Sequence, residues 1–145
     1  MSLFGIFDSK NKKLVTHWEE DHVHIVESAH KIIALYNSHE LVKAKKELLN
    51  LNHIVGQHLM NEDIELYKLL KDEKRQTSEI KKDADKFKES FRDTKKALMK
   101  FLNTYTKKEA ILDETFFEEF MDIIDVVAAR IEFEENNLYV HLVDK

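Results

Sequence analysis

His22, His58, Glu62, Arg130 and Glu134 are the residues of this 145-residue chain whose types and spacing suit chemistry. Each falls on an otherwise apolar helical stripe and so faces a core. An uncompensated carboxylate or guanidinium there is costly even after relaxation, so these groups must meet one another or an ion. His58 and Glu62 are four residues apart, which turns both side chains toward one helix face. Two imidazoles and two carboxylates converging between packed helices make a metal-binding constellation of the kind used by iron and manganese proteins. The plainer arrangement is a metal-free polar cluster, with Arg130 pairing with Glu62 and Glu134 and the histidines taking up hydrogen bonds. Thr94 is a milder polar member of the same set.

The composition leaves helices as the elements that can position these groups. The chain is 43% hydrophobic and 35% charged, with no proline and only two glycines, Gly5 and Gly56. So few turn-forming residues argue against a β-sandwich, a barrel or a Gly-rich phosphate loop. The absence of cysteine excludes disulfides, cysteine zinc sites and thiol nucleophiles. With 23 basic against 28 acidic residues the net charge is −5, the wrong sign for a dedicated nucleic-acid binder. No apolar run approaches the ~20 residues of a membrane span. The opening MSLFGIFDSK lacks a basic n-region and a long apolar stretch, so no secretory signal is expected and a cytoplasmic location follows.

Residues 1–13 read as an N-terminal segment, apolar at Leu3, Phe4, Ile6 and Phe7, and residues 14–145 as one all-α domain. Four helices are expected in it. The first starts between Ser9 and Thr16, where Thr16 and Glu19 have capping-box spacing, and ends near Tyr36. Ser38 is placed to cap the second, which runs to about Lys71. The third follows a polar turn, Lys71 to Ser78, and reaches about Thr104. Thr106 and Glu109 have capping-box spacing for the fourth, with a local disturbance at Asp113 to Thr115.

The stripes are Trp18, His22, Ile25, Ala29, Ile32 and Tyr36 in the first helix, and Leu48, Leu51, Val55, His58, Glu62, Glu65 or Leu66, and Leu69 in the second. The third carries Ile80, Ala84, Phe87, Phe91, Thr94, Leu98, Phe101 and Tyr105; the fourth carries Phe116, Phe120, Ile123, Val127, Arg130, Glu134 and Leu138. Near-heptad stripes joined by short turns imply an up-down-up-down antiparallel four-helix bundle. In that arrangement the five polar groups fall in one layer, with Phe87, Phe91 and Thr94 beside them.

The run Glu20-Asp21-His22 with Ile25, and His58-Leu-Met-Asn-Glu62-Asp63 followed by Leu66-Tyr67, resemble the hemerythrin-like, or HHE cation-binding, family. Glu134-Glu135 followed by Leu138-Tyr139 echoes the second run, and the likeness extends over about residues 14 to 142. The resemblance implies a hemerythrin-like bundle. Family members hold two irons, one bound by histidines of the first and second helices and the other by histidines of the third and fourth. Carboxylates of the second and fourth helices bridge them. By position, His22, His58, Glu62 and Glu134 match the first iron and both bridges. The second iron's ligands are missing: Arg130 stands where a histidine belongs, and no histidine lies between His58 and His141.

The expectation is therefore one iron, or another divalent metal, rather than two, with Arg130 balancing the glutamates in place of the second cation. Such a centre suits sensing or binding of a small ligand such as O₂ or NO, or iron handling, rather than turnover. No nucleophile, general base or substrate pocket is legible, and neither nucleic acid nor membrane is expected as a partner. The alternative is a metal-free interaction module held by Arg130, Glu62 and Glu134. His17, His24, His30, His39 and His53 lie off the stripes and read as solvated, and His141 as a packed or frayed terminal residue. The Glu-x-x-His pairs at Glu19 and Glu27 share one helix, whereas ferritin-like sites need two.

Overall fold

Thirty-five consecutive residues without a proline open the structure as α1, Leu3–Asn37. The computed structural model describes the backbone of residues 3–56, 60–71 and 77–142, with side chains over 11–56, 61–71 and 77–142. Four further α-helices follow among these residues: α2 Leu41–Ile54, α3 Met60–Lys71, α4 Ser78–Tyr105 and α5 Glu114–Phe133. A π-helical segment, Glu134–Leu138, and a 3₁₀ turn, Tyr139–His141, continue α5. No strand occurs among the described residues, and no helix there is long and apolar enough to cross a membrane.

The helix ends show which capping signals act. Thr16 and Glu19 lie inside α1, because nothing in the preceding residues stops the helix; the segment expected over 1–13 joins it from Leu3. The α1 C-terminus closes as a Schellman motif. The Glu40 amide donates to the Leu35 carbonyl at 2.9 Å and the His39 amide to that of Tyr36 at 3.0 Å, with His39 at φ 59°. Ser38 is part of this turn and does not cap α2, whose N-cap position is Glu40 without a side-chain cap. Thr77 caps α4, its hydroxyl accepting from the Ile80 amide at 3.2 Å. The fourth expected helix starts later than Thr106. Asp113 caps α5, accepting from the Phe116 amide at 2.9 Å, while the Thr106 hydroxyl donates back to the Leu102 carbonyl at 2.6 Å. Between them the Lys45 ammonium donates to the Lys107 and Ala110 carbonyls at 2.6 and 2.8 Å, tying this connection to α2.

Helix α1 packs along α2, α3 along α4, and α4 along α5, with α1 also touching α5. The buried apolar residues separate into two clusters. One contains Ile25 and Ile32 of α1, Leu48 and Leu51 of α2, Leu98 and Phe101 of α4, and Phe116, Phe120 and Val127 of α5. The other contains Trp18, Leu66 and Leu70 of α3, Ile80 and Phe87 of α4, and Leu138, Tyr139 and Leu142 beyond α5. On α1, on α4 and at the start of the π segment after α5, the residues between the two clusters include His22, Thr94 and Glu134, all buried, so a polar layer interrupts the apolar interior.

Three of the four stripes keep the expected phase. The second does not. Beyond Val55 the buried positions are Asp63, Leu66 and Leu70, while Glu62 and Leu69 are only partly covered. A wider π-type turn at residues 55–56 precedes the change. One residue more per turn advances the buried face by one position, about 100° on an α-helix.

Candidate metal centre

Four helices supply the polar layer. α1 contributes His17, Asp21 and His22, α3 contributes Glu62 and Asp63, α4 contributes Ser90, and α5 with its π segment contributes Arg130, Glu134, Glu135 and Tyr139. The π segment matters to the geometry. Its bond from the Tyr139 amide to the Glu134 carbonyl spans five residues, and Glu134 and Glu135 at its start face the same imidazole.

That imidazole is His22, whose side chain is 3% exposed. Its Nε2 lies 3.3 Å from Glu134 Oε1 and its Nδ1 lies 3.0 Å from Glu135 Oε2. A ring facing carboxylate oxygens at both nitrogens needs an extra proton, either on the imidazole or on one of the carboxyl groups. The Tyr139 ring stacks on His22 at 6.1 Å, and its hydroxyl donates to Glu134 Oε1 at 3.4 Å.

On the other side of Glu134 sits Arg130. Its Nε donates to Asp63 Oδ2 at 3.0 Å and lies 3.3 Å from Glu134 Oε2, while Nη1 donates to Ser90 Oγ at 3.2 Å. The guanidinium carbon lies 4.6 Å from the Phe87 ring centre and 4.9 Å from that of Phe91, within cation–π range. Aromatic faces and two acids thus enclose the one cation of fixed charge buried among the described residues.

The third group is where α1 meets α3. His17 Nε2 is 3.4 Å from Asp21 Oδ2 and 3.9 Å from Glu62 Oε1, and the Asp21 and Glu62 carboxyls are hydrogen-bonded. One ligand atom from each of the three lies within 4.8 Å of the others.

Too many acids share too little water here. Burial, the hydrogen bond and charge of Asp21, and then Asp63 and Glu134 push the Glu62 carboxyl up to about 10. Burial, followed by the charge of Glu134, raises Asp63 well above the carboxylate range despite Arg130. Burial also raises Glu134, although Asp63, Arg130 and Tyr139 pull it back. Burial first, then Glu134, Asp63, Glu62 and Glu135, holds the Tyr139 phenol protonated. Among the described residues, Glu62 Oε2 and Glu134 Oε2 have no hydrogen-bond partner; the latter faces Arg130 Nε, whose N–H points at Asp63. Surplus carboxylate and unsatisfied oxygens are the donor set a divalent cation fits.

The structure brings His22 and Glu134 into direct contact and sets Glu62 electrostatically beside Glu134, at the same layer. His58 lies outside the described residues. The ion pairs of Arg130 are with Glu134 and with Asp63, one position past Glu62, because the phase change on the second stripe turns Asp63 inward. Sequence reasoning missed Asp21, Asp63, Glu135 and Tyr139, and placed His17 among the solvated histidines. His17 is 60% exposed, yet its four-residue spacing to Asp21 was a legible pairing signal. His24, His30, His39 and His53 are exposed, and His141 is bonded to Asp83 at 3.1 Å. No family model matches this chain, and no curated protein or solved structure matches it either.

Proposed function

We propose that this chain is a hemerythrin-like metal-binding protein, a four-helix bundle over about residues 14–145 whose polar layer holds one divalent cation, iron first. His22, Glu134, Glu62 and His58 would hold it, and Arg130 stands in for a second cation. The bundle topology is supported by the order in which the helices meet the two apolar clusters. α1 and α4 run from the Trp18–Phe87 cluster to the Phe116–Phe120 cluster, and α5 runs the opposite way. α2 contributes to the Phe116–Phe120 cluster and α3, later in the chain, to the Trp18–Phe87 cluster, which is again the reverse direction.

The observation that carries the metal reading is the excess of buried acid. Asp21, Glu62, Asp63 and Glu134 crowd one layer against one buried arginine, and Glu62 Oε2 and Glu134 Oε2 lack hydrogen bonds among the described residues. A bound iron would supply an open coordination position for a small ligand such as O₂ or NO, consistent with sensing, ligand binding or iron handling. The chain's own groups do the rest. Glu135 and Tyr139 orient His22, and Arg130 fixes the carboxylate of Glu134. Thermal melting of chelated protein with and without Fe²⁺, Mn²⁺ or Zn²⁺ tests the reading. A cation bound only by the folded state at a hundredfold excess over Kd adds about 2.7 kcal/mol, or roughly 5–10 °C for a chain of this size. An unchanged midpoint with all three metals overturns it.

The caged guanidinium favours the second reading, a metal-free interaction module. Arg130 is paired with Asp63 and Glu134 and covered by Phe87 and Phe91, so part of the layer is already neutralised without an ion. Equal melting with and without metals would support this module.

A further inference from the structure

We propose that His17, Asp21 and Glu62 form an outer divalent-cation site at the seam of α1 and α3, separate from the His22–Glu134 pair and sharing only Glu62 with the core centre. Three kinds of observation lead there. The first is distance. Two ligand atoms on ~2.0 Å bonds at a tetrahedral angle are ~3.3 Å apart, and His17 Nε2 already lies 3.4 Å from Asp21 Oδ2 and 3.9 Å from Glu62 Oε1. All three ligand atoms fall within 4.8 Å of one another, so an ion needs only a small contraction.

The second is the state of the donors. Asp21 and Glu62 are held against each other, an arrangement that two carboxylates reach only by sharing a proton or a cation. Glu62 is 12% exposed, and its Oε2 has no hydrogen-bond partner among the described residues. A bound ion would take the place of the shared proton and give that oxygen a partner. The third is access. The imidazole of His17 is 60% exposed, whereas that of His22 is 3% exposed and blocked at both nitrogens by glutamates. A cation arriving from solvent meets the outer group first.

One imidazole and two carboxylates suit Zn²⁺, Mn²⁺ or Fe²⁺, with the remaining positions open to water. The four-residue spacing of His17 and Asp21 puts both on one face of a rigid helix, and Glu62 comes across from α3. Nothing in this arrangement requires the core centre to be loaded.

Zn²⁺ titration of the full chelated chain by calorimetry, with Co²⁺ absorption as the coordination readout, tests the site in four variants: His17→Ala, Asp21→Asn, His22→Ala and Glu134→Gln. Loss of a group that merely orients a metal ligand already costs 10–100-fold in affinity. His17→Ala and Asp21→Asn are therefore each expected to weaken one Zn²⁺ event by about tenfold or more and to change the Co²⁺ visible bands. His22→Ala and Glu134→Gln should leave that event within about threefold. Binding abolished by the outer pair and untouched by the inner pair supports the outer site while overturning the core centre. Zn²⁺ affinity and Co²⁺ bands unchanged in both outer variants overturn the outer site, whatever the inner variants do. His17 is mostly exposed, so His17→Ala keeps the fold and decides the matter if Asp21→Asn does not.

Discussion

Arg130 and Asp63, 67 positions apart in sequence, form an ion pair in which both side chains are 2% exposed and Nε donates to Oδ2 at 3.0 Å. The pair joins α5 to α3 across the polar layer, and Glu134 completes it from one turn further along. Removing only the cation leaves Asp63 and Glu134 buried without their partner, a lesion that typically costs about 3–5 kcal/mol. Arg130→Met is therefore expected to lower stability by that order at neutral pH. Adding Asp63→Asn and Glu134→Gln to it should restore part of the loss, because no charge is then stranded. Urea unfolding of the single and triple variants measures both, and an Arg130→Met protein as stable as the parent would refute the arrangement.

Acid should stabilise the metal-free protein. A carboxyl group that is harder to ionise folded than unfolded contributes stability that is whole below its unfolded pKa and lost as pH rises through its folded value. For Glu62 that window runs from 4.5 to about 10, and Asp63 and Glu134 act in the same direction. The melting midpoint of chelated protein is expected to fall steadily from about pH 5 to about pH 9. Glu62→Gln cannot ionise, so its curve should be flatter and should lie above the parent at the alkaline end. Midpoints of the two proteins that stay parallel across this range would remove Glu62 from the buried acid layer.

Much of this arrangement was legible before any coordinates, and what was missed has specific causes. The apolar rhythm placed His22, Arg130 and Glu134 in one layer, and they are there, because α1 and α5 up to Phe133 are unbroken helices on which counting by three and four tracks a face. Counting failed on the second stripe. Beyond the π-type turn at residues 55–56 the buried face lies at Asp63 and Leu70 instead of Glu62 and Leu69, and composition carries no sign of such a change. Glu135 was missed because it lies one position past the fourth stripe, yet it reaches His22 Nδ1 at 3.0 Å from the start of the π segment. Capping boxes misled for a different reason. Thr16 with Glu19 and Thr106 with Glu109 have the right spacing, but a cap acts only where the preceding backbone leaves the helix, as it does at Thr77 and Asp113.

His39 holds the left-handed position of the α1 C-terminal turn at φ 59°, where a side chain with a Cβ is strained by roughly 1–2 kcal/mol. Glycine removes the strain but returns about 0.5–1 kcal/mol through its freedom in the unfolded chain. His39→Gly is expected to raise stability by about 0.5 kcal/mol, and His39→Ala, which keeps the strain, should not. The imidazole is exposed and no packing changes with it, so the difference between the two variants isolates the backbone term. Denaturant midpoints with equal slopes would measure it. Alanine equal to or better than glycine would show that the turn does not hold its positive φ in solution.

The π segment offers the sharpest test of how the layer is assembled. Deleting Asn137 would let the chain after Glu134 relax to an ordinary α-helix; since the widened turn holds one residue more than an α turn, the later residues would keep their face. Leu138 and Tyr139 would then stay beside Trp18, whose ring lies 5.6 Å from that of Tyr139. Trp18 is the only tryptophan in the chain and is 1% exposed, so its fluorescence reports on this corner alone. The deletion is therefore expected to leave Trp18 emission in place and to cost less than the roughly 2–5 kcal/mol of emptying the site of a large buried side chain. A red-shifted emission would mean that the segment does not hold the extra residue of a π turn.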